Sequence, residues 1–259
     1  MRSPVRPAAD RAPRSLAIAV LPTLIVAACA GCFNPFSPDL GTRKAVYIPP
    51  PNRDTAQGVV ELLKWAYDRR DYQVYRTLFT EDYRFYFAPN DTAGNSYRDQ
   101  PWIRDYELES AQHLFEGGSA TQPPASSIDL TYNGLFVTDT GDTILDKDPQ
   151  QRYRRVSTAV TLNIRASGGS IQVQGNAEFY VVRYSAAKIP ADISNRVSPG
   201  DWLIYGWVDL TLPPNQGVVA DAMRSMALAA TSERLGAPPD ATASPNLSVS
   251  WGAVKVGWR

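Results

Sequence analysis

The stretch Val59-Val60-Glu61-Leu62-Leu63-Lys64-Trp65-Ala66-Tyr67-Asp68-Arg69-Arg70-Asp71, continued by Leu78-Phe79-Thr80-Glu81-Asp82-Tyr83, decides the fold of this chain. Val59, Leu63, Ala66 and Arg70 recur at helical spacing, Val60, Leu62 and Tyr67 widen the apolar stripe, and Asp54-Thr55 places an N-cap signal before it. Asp71 restarts the pattern. Tyr72, Tyr75, Leu78 and Phe79 predict a second short helix, and the turn Thr80-Glu81-Asp82 leads into Tyr83-Arg84-Phe85-Tyr86-Phe87, an alternating aromatic strand.

Downstream, a polar loop with Asn90, Gly94 and Asn95 precedes Pro101 and a helical stretch to Phe115. That stretch closes at Gly117-Gly118, where glycine can take a left-handed cap. Only strand signals follow. Ile128 to Val137 is one, Val156, Thr158, Val160, Leu162 and Ile164 alternate in another, and Ser167-Gly168-Gly169-Ser170 makes a tight hairpin turn. Ile171 to Tyr184 returns antiparallel with Ile171, Val173, Ala177, Phe179 and Val181 on one face, and Trp202, Ile204, Tyr205 and Trp207 dominate the strand Asp201 to Leu212. Residues 213–246 stand apart as a helical and low-complexity excursion, after which Val249 to Trp258 alternates again and is expected to return as a last strand. The order predicts an α+β protein, with about three helices packed on one face of a curved antiparallel sheet.

These segments, in this order, resemble the opening of NTF2-like (SnoaL-like) domains, which begin with an amphipathic helix, a short helix ending Leu-Phe, an acidic turn and a first strand. The resemblance spans roughly residues 54–211 and the C-terminal strand. It implies a cone whose sheet and helices enclose a pocket, with acids, tyrosines or histidines inside it in the enzymes. It also implies a carboxylate near the end of the first strand in the isomerases and dehydratases. Here that region reads Phe85-Tyr86-Phe87 and the chain has one histidine, so the expectation is no catalytic residue. The alternative is an isomerase or lyase using His113, four residues after Glu109 on the third helix, with Glu109 or Asp105. Glu107 is a further acid on that helix. The ordinary reading of His113 is a half-buried side chain held by one hydrogen bond.

Tyr67, Phe85, Phe87, Trp102 and Tyr205 are the expected ligand-pocket residues, although large aromatics most simply form core. Asp139-Thr140-Gly141 matches the aspartic-protease tripeptide but stands once, in a loop rich in Asp without the EF-hand spacing; neither a metal nor a cofactor is expected.

The N-terminus reads as an address. Arg2, Arg6, Arg11 and Arg14 precede an uncharged run, Leu16 to Ala28, too short to span a bilayer, which needs about 20 apolar residues. Val26-Ala27-Ala28-Cys29 resembles the bacterial lipobox, which implies acylation of Cys29 after removal of residues 1–28; Cys32 is the alternative. The chain's two cysteines both lie there, so no disulfide staples the body. Ala30 or Phe33 rather than aspartate follows the cysteine, which in a Gram-negative organism resembles sorting to the outer membrane, facing the periplasm. Residues 29–53, with Pro49-Pro50-Pro51, are the expected tether, reaching on the order of 60 Å, and 54–259 the domain. Removing residues 1–28 takes four arginines and one aspartate from 26 basic and 26 acidic side chains, leaving 22 against 25. That net of −3 excludes a general nucleic-acid binder. The expected partners are the lipid membrane, through acyl chains, and a second copy through the sheet face. The expected function is a cell-envelope lipoprotein whose non-catalytic domain binds a small apolar ligand or an envelope protein.

Overall fold

Thr55 accepts the Gly58 backbone N–H at 2.9 Å, and this cap opens helix α1, Ala56–Arg69. The apolar stripe of α1 is buried as its periodicity requires, and Arg70 ends it in the left-handed region at φ 52. Asp71 caps the one-turn helix α2, Tyr72–Tyr75, by accepting from the Val74 N–H. The computed structural model describes residues 48–88, 91–97, 100–139, 151–167, 169–211 and 246–259. The signal segment, Cys29, Cys32, most of the tether, the Asp-rich loop beyond Asp139 and the excursion 213–245 lie outside the described residues.

A compact unit runs from Pro49 to Arg259, built on a curved, unclosed sheet of eight strands. They are β1 (Phe79–Tyr86), β2 (Trp102–Ile103), β3 (Ser127–Tyr132), β4 (Val137–Asp139), β5 (Tyr153–Ala166), β6 (Gly169–Arg183), β7 (Trp202–Thr211) and β8 (Asn246–Ser248). The sheet order is β2-β1-β7-β6-β5-β3, with β4 also on β5 and β8 on β6. Pairing is antiparallel except for β1 with β7 and β6 with β8. Strands β5 and β6 pair from Tyr153↔Val182 to Ala166↔Gly169, so the two-residue hairpin falls where the glycines predicted it. Their inward residues, Val156, Val160, Leu162, Ile164, Ile171, Val173, Phe179 and Val181, are buried against α1.

Three elements differ from the sequence reading. Leu78 and Phe79 are not part of the second helix: Phe79 opens β1 and Leu78 is the bend before it, its carbonyl taking the Ile204 N–H at 2.8 Å. The third helix, α3 (Arg104–Gln112), opens into a π-turn over His113–Gly117 before Gly118, at φ 69, turns the chain. And Val249 to Trp258 is not one strand. After β8, Ser250 accepts from the Ala253 N–H at 3.0 Å and starts helix α4, Trp251–Gly257. Trp251, Val254, Lys255 and Trp258 recur at helical spacing and are all buried, a period that the alternation of the same letters concealed. The presumed end of the tether is also part of the body: Arg53 donates to the Thr77 carbonyl at 3.0 Å and the Arg196 carbonyl at 3.1 Å, and pairs with Asp201.

Helix α4 is seated closely. A Cβ on Gly252 would fall inside the van der Waals shells of the Phe87 ring and an Asp91 carboxylate oxygen. Gly252→Ala is therefore expected to destabilise by about 1–3 kcal/mol through overpacking, whereas Thr55→Ala costs about 1 kcal/mol through the lost cap. Urea denaturation of both variants checks this order.

Candidate functional site

Helix α3 packs against β1, β2 and α4 and turns Glu107 inward, where the residue is 1% exposed. Four donors converge on it from four different elements. Tyr75 of α2 and Lys255 of α4 donate to Oε1, while Tyr83 of β1, at 3.2 Å, and Trp102 Nε1 of β2, at 3.0 Å, donate to Oε2. Tyr67 of α1 extends the network, its hydroxyl 3.5 Å from that of Tyr75; because Tyr75 donates to Glu107, Tyr67 is the donor to Tyr75.

Lys255 is 2% exposed. Its ammonium lies on Glu107 and over two aromatic faces, 4.6 Å from the Phe85 ring centre and 4.3 Å from that of Trp207. Burial lowers its pKa, opposed by the Glu107 carboxylate. Burial likewise pushes the hydroxyls of Tyr75 and Tyr83 well above the usual tyrosine range, and that of Tyr67 upward, with the Glu107 charge adding to all three shifts. These hydroxyls thus remain donors.

A second buried acid anchors the N-terminal end of α4. Asp209 of β7 accepts from the Thr211 N–H at 2.9 Å and hydroxyl at 2.5 Å through Oδ1, and from the Gly252 N–H at 3.0 Å through Oδ2. Ser250 donates to Asp91 at 2.6 Å. Burial raises the pKa of Asp209 against those hydrogen bonds. The other end of α4 is held by α3 and the turn after it: Ser110 donates to the Lys255 carbonyl at 2.8 Å, and His113 Nδ1 to the Trp258 carbonyl at 2.8 Å. Trp258 Nε1 donates to the Pro123 carbonyl at 3.0 Å. Orphan carbonyls of the last turn are thereby satisfied.

The structure distributes the sequence-derived candidates as follows. His113 is half-buried and acts on the end of α4; Glu109, on the exposed side of α3, pairs with Arg259 at 3.2 Å, and Asp105 is exposed. The three do not converge. Of the aromatic set, Tyr67 packs on Trp251 with ring centres 5.7 Å apart, Phe85 and Trp102 flank the Glu107–Lys255 pair, and Phe87 touches both Phe85 and Trp102. Tyr205 does not join them. At a bulge where Tyr205 and Gly206 oppose Tyr180, its ring turns to Tyr153 and Tyr180, away from the Trp207 face. Asp139 pairs with Arg155 at 2.9 Å, and among the described residues no group of three side chains is arranged to hold a metal.

Sequence reading did not single out Tyr75, Tyr83, Asp209 and Lys255 as site residues, and named Glu107 only as a further acid of the third helix. A signal existed for Lys255 alone, the single charge within Val249-Ser250-Trp251-Gly252-Ala253-Val254-Lys255-Val256-Gly257-Trp258.

No family model matches the chain, and no curated protein matches it. Among solved structures it is similar to a conserved protein of Planctomyces limnophilus, with 14% identity over 61% of this chain and 94% of that one and a TM-score of 0.41. It is also similar to a putative scytalone dehydratase of Novosphingobium aromaticivorans, at 13% over 59% and 78% with a TM-score of 0.38. An NTF2-like superfamily protein of Salmonella enterica matches at 11% over 60% and 86%, with a TM-score of 0.37. These are likenesses of fold alone, at low identity.

Two outcomes test the cluster. Lys255→Met strands the Glu107 charge and should cost about 3–5 kcal/mol in urea unfolding, whereas Glu107→Gln combined with Lys255→Met should recover most of that loss; additive losses would contradict the pairing. Because the folded pKa values of Tyr67, Tyr75 and Tyr83 lie above the unfolded one, their stabilising contribution is complete below pH 10 and is lost as pH rises above it. In a tyrosinate absorbance titration, at least four of the thirteen tyrosines, these three and Tyr132, whose hydroxyl burial also pushes well above the usual range, should ionise only as the domain unfolds.

Proposed function

We propose that this chain is a lipid-anchored cell-envelope protein whose NTF2-like domain binds a small molecule in the cone without transforming it. The observation that carries the non-catalytic part is the saturation of Glu107. An ionised carboxylate offers roughly four lone-pair sites, and four donors occupy them, two on each oxygen. With α4 seated, this acid has no free lone pair with which to take a substrate proton. The remaining acids of α3, Asp105 and Glu109, lie outside the cone.

What favours binding is the lining. Tyr67, Phe85 and Trp207 enclose the space filled by Trp251 and Lys255, and this set of aromatics around one charged locus is the composition of a small-molecule site. Helix α4 then acts as the closing element, and a ligand enters where its side chains stand. The membrane half of the proposal rests on the sequence Val26-Ala27-Ala28-Cys29. Stable attachment follows from the several acyl chains of a mature lipoprotein, since one chain binds only marginally.

Native mass spectrometry of the chain extracted from its own host should show a fraction carrying an organic adduct. Protein that is empty in every preparation would contradict the binding proposal. For the anchor, a palmitate analogue should label the wild type and fail to label Cys29→Ala with Cys32→Ala; labelling of that double variant would overturn the lipobox.

A further inference from the structure

We infer that the cone is an organic-ammonium site which the chain occupies with its own Lys255, and that the ligand it admits is a small primary amine carrying an apolar or aromatic body. The inference rests on the binding reading above and names the chemical class of that ligand.

Three features of the space around the Lys255 ammonium select a cation that donates hydrogen bonds. Withdrawing α4 removes one donor of four, one of the two on Glu107 Oε1; Tyr75, Tyr83 and Trp102 belong to other elements and stay in place. The vacated position is therefore an acceptor, and a charged one. A ligand carbonyl or carboxylate would meet it lone pair to lone pair. The walls at that position are the faces of Phe85 and Trp207, which attract a cation through the ring quadrupole and do little for a neutral hydroxyl. One turn back along α4, Trp251 fills the adjoining space between Tyr67 and Trp207, with ring centres 5.7 and 4.6 Å away. An ammonium on a flexible stem with an aromatic group beside it is what α4 presents to the cone, and an arylalkylamine presents the same two parts in one small molecule. Trp207 also keeps a buried indole N–H with no hydrogen-bond partner among the described residues, leaving a donor for a polar group on the body of such a ligand.

The seating of α4 suits exchange. It is a seven-residue helix, below the length at which a helix persists alone in water, so it depends on its contacts for its structure. Its capping partners, Asp209, Thr211, Asp91, Ser110 and His113, all lie on other elements of the body and remain with it when α4 leaves.

The experiment uses the full chain. n-Propylammonium and its neutral isostere n-propanol are titrated into Lys255→Ala by calorimetry, and hydrogen exchange of residues 251–257 is followed in the wild type with phenethylammonium and with phenethyl alcohol. Expected are saturable n-propylammonium binding at least tenfold tighter than n-propanol, lost when Glu107→Gln is added, and in the wild type an at least fivefold acceleration of exchange in α4 by phenethylammonium alone, with β6 unchanged. Equal affinity for amine and alcohol, or equal acceleration by both, overturns the ammonium assignment while leaving the cone as a binding site. No binding of either compound, with α4 unresponsive in the wild type, overturns both. If Lys255→Ala does not fold, the wild-type exchange result decides by the same criteria.

Discussion

The structure turns on one constraint: a lysine ammonium and a glutamate carboxylate have been taken out of water together, inside an aromatic interior. Removing each ion from solvent costs several kcal/mol, and their attraction offsets this only when the remaining hydrogen-bonding capacity is met. Here it is met by Tyr75, Tyr83 and Trp102 on the carboxylate, and by the faces of Phe85 and Trp207 beside the ammonium. Those five residues come from four stretches of chain, α2, β1, β2 and β7, so these and the two elements that carry the pair, α3 and α4, must all be in register for it to be tolerated.

The tail of the chain follows from this. Residues 251–258 are core: Trp251 and Trp258 are fully buried. Helix α4 covers the inner face of the sheet, with Trp251 against Trp207 of β7 and Lys255 over Phe85 of β1. The same packing turns the hydroxyl, indole and ammonium groups around Glu107 onto its carboxylate.

Much of the fold was legible in the sequence because local periodicity set it. The stripe of α1, the Asp71 restart, the alternation of β5 and β6 and their glycine turn all appear where the letters place them. The failures share a cause. Leu78 and Phe79, Tyr205 and the last ten residues are positions where tertiary contacts choose between two readings of the same pattern: a sheet pairing at Phe79, a bulge at Tyr205, and at Ser250 a cap that converts apparent alternation into a helix. The site was harder still. Glu107 sits between Asp105 and Glu109 on one helix, and nothing in that spacing tells which acid faces inward; only the meeting of residues 75, 83, 102, 107 and 255, up to 180 positions apart, defines it.

The most direct test is the environment of the Lys255 side chain in solution, read by NMR on selectively labelled lysine. The account predicts ε-methylene protons shifted well upfield by the rings of Phe85 and Trp207, contacts from them to both rings, and an ammonium protected from solvent exchange near neutral pH. Lysine signals all at their exposed positions, with no ring contacts from Lys255, would contradict it.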